Sequence, residues 1–557
     1  MSVRPRRAAL VRSLVVLAVL TAVLLGVVGW RASRIIKGLL GTWAVEAVAQ
    51  RSGGVYRLDV GQVRLNWLLR RVTVDSVRLT TNVVNAKRVP PLLDLNVAFD
   101  RCTLSGVHLV SLVLRRGFVA GSFGCRKGSV ALSGIRAPQG APIQPFLVPS
   151  TVPSPPASVP RVRISRVDFP NLALRVRLPH AGPGETGFAF ERARWSMVDF
   201  AIDPADSAAA SRPLFSRVVE LAVDSAVIRP DSVTAARIAH IRASLTDSTL
   251  DAEGIGFAPS VTLAEFERGP YRPDIVQVGA ARVRVQGMDF GALVLGLGVR
   301  ARRVTADSLR VKITSDYRGL QRVMSHRTPQ QWVAELGQTV SVDSIVVHEG
   351  EVEYREVRPD QDWPGVLTFG HIEATGAPVR HIDGRKAIAD SMILAATAQL
   401  LHAGRLDVRV AFPFDAPGFD MGYRGTLGPM TATAFNLVLE HLENWKIAGG
   451  QVEKIDFGVA VHDGVARGAL TPLYSGLSVQ VTGHGSGGIL GLHGIIGGAF
   501  RGLASAVAAS KVHDRNPQAP GMASRSGAIR HVYARSETLP GFLWVNLREG
   551  ILGVLLK

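Results

Sequence analysis

The amino-acid sequence predicts a mainly β protein that begins with a transmembrane helix and contains few other helices. Three observations support this prediction. An apolar run without charges spans residues 13–30, between Arg12 and Arg31. The chain has 57 glycines and 31 prolines but only 6% aromatic residues, which is typical of many short strands and turns. Beyond the run, apolar and polar residues alternate in many segments, which indicates strands with one buried and one solvated face.

The apolar run is predicted to be an uncleaved membrane anchor. As a helix it would be about 27 Å long, enough to cross the hydrocarbon core of a bilayer. The alternative is a cleaved signal peptide, whose apolar region is usually shorter and ends in a small-x-small cleavage site, whereas this run ends in Gly29-Trp30-Arg31. Basic residues slightly favour residues 1–12 in the cytoplasm and the bulk of the chain on the other side of the membrane.

The formal net charge of +19 is compatible with nucleic acid, anionic lipid headgroups or an acidic polysaccharide. The arginines are scattered singly along predicted strands, as at Arg161, Arg163 and Arg166, and no basic run is interleaved with aromatic residues. This pattern is typical of solvated faces. We therefore expect no nucleic-acid partner.

The two cysteines, Cys102 and Cys125, lie in neither a CxxC motif nor a Cys/His metal-ligand spacing. If the bulk of the chain is outside the cytoplasm, they could form a disulfide worth about 3 kcal/mol. Two buried free thiols are an equal alternative, because sequence does not give the distance between their Cα atoms.

The first elements after the anchor are predicted from periodicity. Residues 31–50 form an amphipathic helix, and residues 56–60 and 63–67 alternate as strands with a slip in phase at Gly61. Further alternating strands include Val162 to Ile164, Val283 to Val285 and Leu406 to Phe412.

An Asp-Ser repeat recurs inside alternating apolar segments. Because Asp and Ser side chains bond to the nearby backbone, we expect a turn or bulge at each copy. A catalytic or metal role is disfavoured, since no histidine or third acid recurs beside them. The segment VDSIVVHEGEVEY is predicted to be a hairpin that turns at Glu349-Gly350. The repeat occurs at residues 72–79, 221–228, 304–311 and 340–347.

The remaining segments differ in composition. Residues 136–160 are a proline-rich linker or surface loop, because proline lacks the donor that a central strand needs. A helix is predicted from Thr433 to Trp445, ending before Gly449-Gly450. Residues 483–535 are glycine-rich and then basic, and residues 536–557 form an amphipathic helix that either lies on a membrane or caps the sheet.

No catalytic, cofactor or metal site is predicted. A GxGxxG pattern at Gly483, Gly485 and Gly488 follows a strand, but the next acid is Asp514, too far for a dinucleotide site. His348-Glu349 lacks the second histidine of HExxH. We therefore expect a protein that is not an enzyme.

Four segments together resemble the AsmA-like family of bacterial envelope proteins, which includes relatives of TamB and YhdP and is related to the chorein-type lipid transfer proteins. The opening GGVYRLDVGQVRLNWLLRRVTVDSVRL and the segment VDSIVVHEGEVEYRE carry the resemblance. So do residues 434–481, with a short helix, a glycine-marked turn and a strand pair, and residues 526–552, where a strand precedes an amphipathic helix.

The resemblance implies a single-pass protein of the bacterial inner membrane with its bulk in the periplasm. Its fold would be an elongated antiparallel β-sheet, curled into an apolar groove that binds acyl chains. The implied function is phospholipid transport or outer-membrane biogenesis and maintenance. Its partners would be phospholipids, the inner membrane and other envelope proteins. The alternative is a structural or assembly factor for outer-membrane proteins, which would have a closed core and bind no lipid.

These expectations divide the chain into a cytoplasmic tail, an anchor, an N-terminal β region, a linker, a groove region, a glycine-rich and basic segment, and a terminal helix. The corresponding ranges are 1–12, 13–30, 31–135, 136–160, 161–482, 483–535 and 536–557. The residues predicted to face acyl chains are the apolar positions of two alternating strands: Val283, Val285, Leu406, Val408, Val410 and Phe412.

Overall fold

The computed structural model contains mainly β-strands, and most of them pair antiparallel, as the composition and the alternating pattern predict. Apart from a few single positions or pairs inside these ranges and a few isolated residues elsewhere, it describes residues 44–82, 93–134, 161–177, 187–203, 212–228, 234–259, 275–294, 298–316, 339–357, 364–381, 391–481 and 512–556. Among these residues no helix has the length and apolarity needed to span a bilayer. The predicted anchor, the proline-rich segment 136–160 and the GxGxxG pattern lie outside the described residues.

The strands of the first half are β1 Tyr56–Val60, β2 Val63–Asn66, β3 Arg71–Thr81, β4 Leu93–Ser105, β5 Phe118–Gly134, β6 Val162–Arg177, β7 Gly187–Ile202, β8 Val218–Ile228, β9 Thr234–Ser244 and β10 Thr249–Pro259. Those of the second half are β11 Ile275–Gln286, β12 Val299–Asp307, β13 Arg310–Asp316, β14 Val340–Val357, β15 Gly365–Ala377, β16 Val379–His381, β17 Met392–Leu400, β18 Gly404–Phe412, β19 Met421–Leu427, β20 Met430–Thr431, β21 Trp445–His462, β22 Val465–Val481 and β23 Gly527–Val532.

The α-helices among the described residues are α1 Ala44–Arg51, α2 Leu109–Val113, α3 Phe290–Val294, α4 Asn436–Glu443 and α5 Leu539–Leu555. Short 3-10 turns occupy Pro213–Phe215 and Ala432–Phe435.

The described residues divide into two compact units. Unit 1 consists of the described residues within Met1–Ala226, His240–Leu250 and Asp289–Leu297. Unit 2 consists of the described residues within Val227–Ala239, Asp251–Met288 and Gly298–Lys557.

Unit 1 is built on a sheet in which β1 and β2 pair with β3, followed by β4, β5, β6, β7 and β8. β1 and β2 meet the same strand on either side of Gly61, where the predicted slip in phase occurs, and the amide of Gly61 bonds to the carbonyl of Ser76. Cys102 and Cys125 are directly opposite on β4 and β5 and form a disulfide inside the apolar core of the unit.

Unit 2 is built on a longer sheet that runs from β11 to β23. β11 pairs with β12 and β13, which pair with β14, and β15, β17, β18, β19, β21, β22 and β23 follow in chain order. The short strands β16 and β20 extend the pairing along β14 and β21.

Among the described strands, each unit has a step at which neighbouring strands run parallel. β5 and β6 are parallel in unit 1, and β12 and β13 are parallel to β14 in unit 2. Parallel neighbours need a long crossover connection rather than a tight turn. Residues 136–160 fall within the first of these connections.

The hairpin predicted at Glu349-Gly350 is wrong, because β14 passes straight through these residues. Glu349 has a φ of 51° and marks a bulge in the pairing with β15. The strand continues because β14 pairs with β12 before the bulge and with β13 after it.

The turn or bulge predicted at every Asp-Ser copy is wrong for residues 340–347, because β14 runs through Asp343-Ser344 in unbroken register with β12. The other three copies differ from one another. At Asp307-Ser308 the chain leaves β12 and bends, with a φ of 52° at Ser308. At Ser225 the strand continues through a residue with a φ of 78°. β3 also continues through its copy, at the point where its partner changes from β2 to β1.

The helix predicted from Thr433 to Trp445 is shorter in the structure. A 3-10 turn leads into α4, and Trp445 instead begins β21, which continues through Gly449 and Gly450. Trp445 is buried in the core of unit 2, and burial in the sheet outweighs the helical spacing of its side chain.

The predicted terminal helix is confirmed as α5, and it caps the sheet. Thr538 accepts a hydrogen bond from the amide of Gly541 at 3.1 Å, which begins the helix. Phe542 is fully buried against the last strands, and the backbone of Gly550 lies so close to Gly527 that a side chain at Gly527 would clash.

Candidate functional site

The unit 2 sheet has one face whose cross-strand rows are apolar over ten strands. Following directly opposed residues from β11 to β23 gives the first row: Val283, Ala306, Val347, Ala374, Ala396, Val408, Gly425, Phe457, Leu470 and Gly527. A second row of directly opposed residues lies two positions away on each strand, on the same face of the sheet. Its members are Val285, Val304, Ile345, Gly376, Leu394, Val410, Tyr423, Val459, Gly468 and Ile529. We call this the apolar face.

The structure brings the six predicted groove residues to this face. Val283 and Val408 share the first row, and Val285 and Val410 share the second. The other two, Leu406 and Phe412, are on β18 at the same alternation, and all six are half-buried.

Helices of the same chain cover part of the apolar face. α4 and α5 pack over the later strands, where Val438, Leu439 and Phe542 are buried in one core. Leu406, Val410 and Phe412 pack against this core, and Val408 is half-buried outside it. Small residues dominate the first row between β12 and β19, including Ala306, Ala374, Ala396 and Gly425. The face therefore has a closed part under the helices and a part that the described helices leave half-buried.

Polar side chains are buried beneath α5, which sequence reasoning missed. Asn546 and Arg548 interrupt the apolar pattern of α5, yet they are 0% and 3% exposed. His441 of α4 is 1% exposed in the same core. Burial raises the pKa of the Tyr423 hydroxyl to about 12, and the neighbouring Asn546 side chain acts in the opposite direction. The signal in the sequence is that Asn546 and Arg548, two positions apart, interrupt a largely apolar helix.

The opposite face of the same sheet is polar and holds a concavity of about 710 Å³. Its lining comes from β14, β15, β17, β18, β19 and β21, all within unit 2. Arg409, Arg424, Asp407 and Asp456 are among the side chains at alternate positions to the apolar face. Of the predicted groove residues, Val408 also borders this concavity, whereas its polar side chains were not predicted as ligands and His348 was dismissed.

Three carboxylates of the concavity already have hydrogen-bond or ion-pair partners. Glu373 accepts hydrogen bonds from the amide of Glu349 and pairs with His348 Nδ1, both at 2.9 Å. These bonds, the backbone one first, hold the pKa of Glu373 below its usual value.

Asp407 and Asp456 are paired in a similar way. Arg405 donates to Asp407 from Nε at 3.1 Å and from Nη2 at 3.0 Å, and these bonds lower the pKa of Asp407. Lys454 lies 2.7 Å from Asp456, and the Thr426 hydroxyl donates to the same carboxylate at 2.7 Å. Partial burial alone would raise the pKa of Asp456, but these two partners lower it overall.

Unit 1 carries a separate exposed apolar patch. Leu68 and Leu69, in the turn between β2 and β3, are 73% and 62% exposed, and Val110 of α2 is 65% exposed. The turn and the start of α2 are joined by backbone bonding between Arg70 and Val107. This patch therefore combines exposed aliphatic side chains with an adjacent arginine.

The described residues contain no cluster of histidine, cysteine and acidic side chains that could hold a metal ion. Comparison with known proteins gave no relative: no protein-family model matches the sequence, and no curated protein matches it.

Proposed function

We propose that the protein is anchored in the bacterial inner membrane, extends into the periplasm and binds lipid acyl chains along the apolar face of unit 2. In this role it takes part in phospholipid transport or in outer-membrane biogenesis and maintenance. The observation that carries the proposal is the pair of apolar rows across ten strands, in which predicted groove residues more than 100 positions apart align. No charged side chain interrupts either row.

The space above these apolar rows must be filled by something other than water. Apolar surface is driven out of water at about 25 cal/mol per Å², so a broad apolar face needs a cover. The cover is α4 over β15 and β21, and α5 over β22 and β23. Elsewhere the small side chains of the first row leave room for an acyl chain, whose methylenes need no hydrogen-bond partner.

The exposed patch of unit 1 fits the membrane part of the proposal. Leu68, Leu69 and Val110 supply aliphatic side chains, and Arg70 supplies a positive charge for anionic headgroups. These features suit a surface that lies against the membrane near the proposed anchor.

A structural or assembly role for outer-membrane proteins is the second candidate. The closed core beneath α4 and α5 favours it, because a sheet whose apolar face is covered by its own chain needs no lipid. The two candidates differ in whether lipid occupies the rest of the face.

Native mass spectrometry of the purified full chain, released from mild detergent, tests the proposal. We expect bound phospholipid in the wild type and loss of most of it in Val408→Asp, because a carboxylate on the first row makes burial of an acyl chain unfavourable. Val408 is chosen because it does not pack against the closed core. The matched control is Ile393→Asp, since Ile393 is 38% exposed on the opposite face.

Circular dichroism and thermal unfolding establish that both variants fold. Equal lipid content in the wild type and in a folded Val408→Asp variant would contradict acyl-chain binding at this row. A folded wild type without lipid would favour the assembly role.

A further inference from the structure

Two arginines without an acidic partner face each other in the concavity of the polar face. Arg409 on β18 is directly opposite Arg424 on β19, and both are exposed. Side chains at such positions have Cβ atoms about 5 Å apart, and like charges there are destabilising. Within the described part of the chain, neither guanidinium lies within ion-pair distance of a carboxylate.

The neighbouring positions leave the space around this pair open. Ala395 is opposite Arg409 on the other side, and Gly458 is opposite Arg424. A Cβ added at Gly458 would meet only the Cβ of Arg424, at 3.9 Å. The guanidinium groups can therefore approach a shared ligand without displacing another side chain.

The acidic residues of the concavity do not neutralise the pair. Glu373, Asp407 and Asp456 are each engaged by His348, Arg405 and Lys454, respectively. With His348 neutral, the charges left after the Arg405 and Lys454 ion pairs are the two arginines and Glu373, so the concavity keeps a net positive charge. The hydroxyls of Thr375 and Thr397, which line the same space, add neutral donors.

We propose that Arg409 and Arg424 bind the phosphate group of an organic phosphate in this concavity. A guanidinium presents paired N–H donors that match phosphate oxygens, and two from adjacent strands can hold one phosphate. A volume of about 710 Å³ leaves room for the organic part of the ligand. The phosphate can belong to a soluble ester or to a lipid headgroup.

The two arginines occupy positions alternate to the apolar rows. Val408 of the first row also borders the concavity, so the two proposals are separated by the residues that each test replaces. Loss of acyl-chain binding in Val408→Asp leaves Arg409 and Arg424 in place, and loss of phosphate binding leaves the apolar rows intact. Either proposal can therefore fail alone.

Isothermal titration of the full chain in neutral detergent tests the site with two probes. Glycerol 3-phosphate represents a soluble ester, and dihexanoyl phosphatidylglycerol, below its micelle concentration, represents a headgroup. We expect at least one probe to bind the wild type and to bind R409Q/R424Q at least about tenfold more weakly, because the charge-assisted hydrogen bonds are lost.

The matched control is R467Q/R530Q. Arg467 and Arg530 are also directly opposite and exposed, on β22 and β23, but do not line the concavity. A specific site predicts wild-type affinity in this control. Equal weakening in both double variants would reduce the effect to general charge and overturn the proposal, as would the absence of binding of either probe to the wild type.

A second measurement separates binding from a structural role. Because the arginines repel each other, R409Q/R424Q should unfold at the same temperature as the wild type or higher when no phosphate is present. The bound probe should raise the unfolding temperature of the wild type and leave that of R409Q/R424Q unchanged. A lower unfolding temperature for R409Q/R424Q without ligand would assign the pair a structural role instead.

Discussion

Tyr423 illustrates how burial on the apolar face changes the chemistry of one residue. Its ring lies in the second apolar row, 6.3 Å from the ring of Phe457 between centroids, and its side chain belongs to the closed core. Burial raises the pKa of its hydroxyl from 10.0 to about 12. The pKa of Tyr474 is also raised to about 12, first by burial and then by the charge of Asp514.

Alkaline unfolding follows from these two raised pKa values. An unfolded tyrosine ionises near pH 10, whereas the folded one stays neutral to about pH 12, so the folded state loses stability as the pH rises between these values. Each tyrosine contributes a loss on the order of 2 kcal/mol. We expect Tyr423→Phe to show a smaller decrease in the free energy of unfolding between pH 10 and pH 12, measured by urea titration. An identical pH dependence in the variant would contradict the burial argument.

The residues that share a face of the sheet could be predicted from the sequence only within a single strand. Alternation places Leu406, Val408 and Val410 on the same side of β18. It does not place Val283 in the row of Val408, because that alignment passes through the registers of every strand between them, and a slip of one residue exchanges the faces. The opposition of Arg409 and Arg424 likewise depends on register, and single-residue inspection gave no signal for it.

Two short helices of the structure, α2 and α3, are each flanked by a pair of glycines. Gly106 and Gly117 flank α2, and Gly287 and Gly298 flank α3, with the same spacing of eleven residues. The first glycines have φ values of 68° and 67°, and the second have 127° and 120°. In both copies the residue after the second glycine begins a strand and donates to the carbonyl just before the parallel strand: Phe118 to Arg161 at 2.7 Å, and Val299 to Thr339 at 2.8 Å.

Replacing the second glycine by alanine should be costly in both copies. A Cβ at Gly117 would lie 2.9 Å from the carbonyl oxygen of Arg161, and one at Gly298 would collide with that of Thr339. With the positive φ, we expect each variant to lose roughly 1–3 kcal/mol or more of unfolding free energy in urea titrations. The control is Gly256→Ala, which has no atom within 4 Å of the added Cβ and should change little. Equal losses in the control and the test variants would show that the close approach has no effect.

The predicted boundaries of helices and strands were wrong where pairing with residues distant in sequence decides the local structure. A glycine after Glu349 is compatible with both a hairpin and a bulge, and successive parallel pairing with β12 and β13 selects the bulge. The spacing of Val438, Leu439 and Trp445 also fits a helix, but pairing of β21 with β22 places Trp445 in the sheet. Strand β18 and helix α5 could be predicted, because the periodicity of their apolar residues is strong and local.

At the scale of the whole molecule, the two compact units differ in how they are stabilised. The disulfide lies in the core of unit 1, whereas the core of unit 2 is formed by sheet, α4 and α5. Composition and alternation were sufficient to predict a mainly β chain. They could not predict the parallel steps, which depend on crossovers such as the one that contains residues 136–160.

Removing the disulfide should therefore affect the units unequally. In Cys102→Ala/Cys125→Ala the loop of about two dozen residues is no longer closed, which should cost about 3 kcal/mol. Hydrogen-exchange mass spectrometry should show faster exchange in β3 to β6 and little change in β17 to β22. The wild type treated with reductant provides the control and should match the variant. Equal acceleration in both units would contradict this assignment of stability.

The repeated glycine motif also bears on how such a chain can change over generations. A block of strand, short helix, strand, parallel strand and antiparallel strand occurs in β4 to β7 and again in β11, β12, β14 and β15, with the short strand β13 added before β14. A sheet accepts new strands at its edge by backbone hydrogen bonds alone, with little dependence on side-chain identity. Duplication or loss of one block by recombination would therefore lengthen or shorten the gene product in whole steps, while every remaining strand keeps its ancestral neighbours.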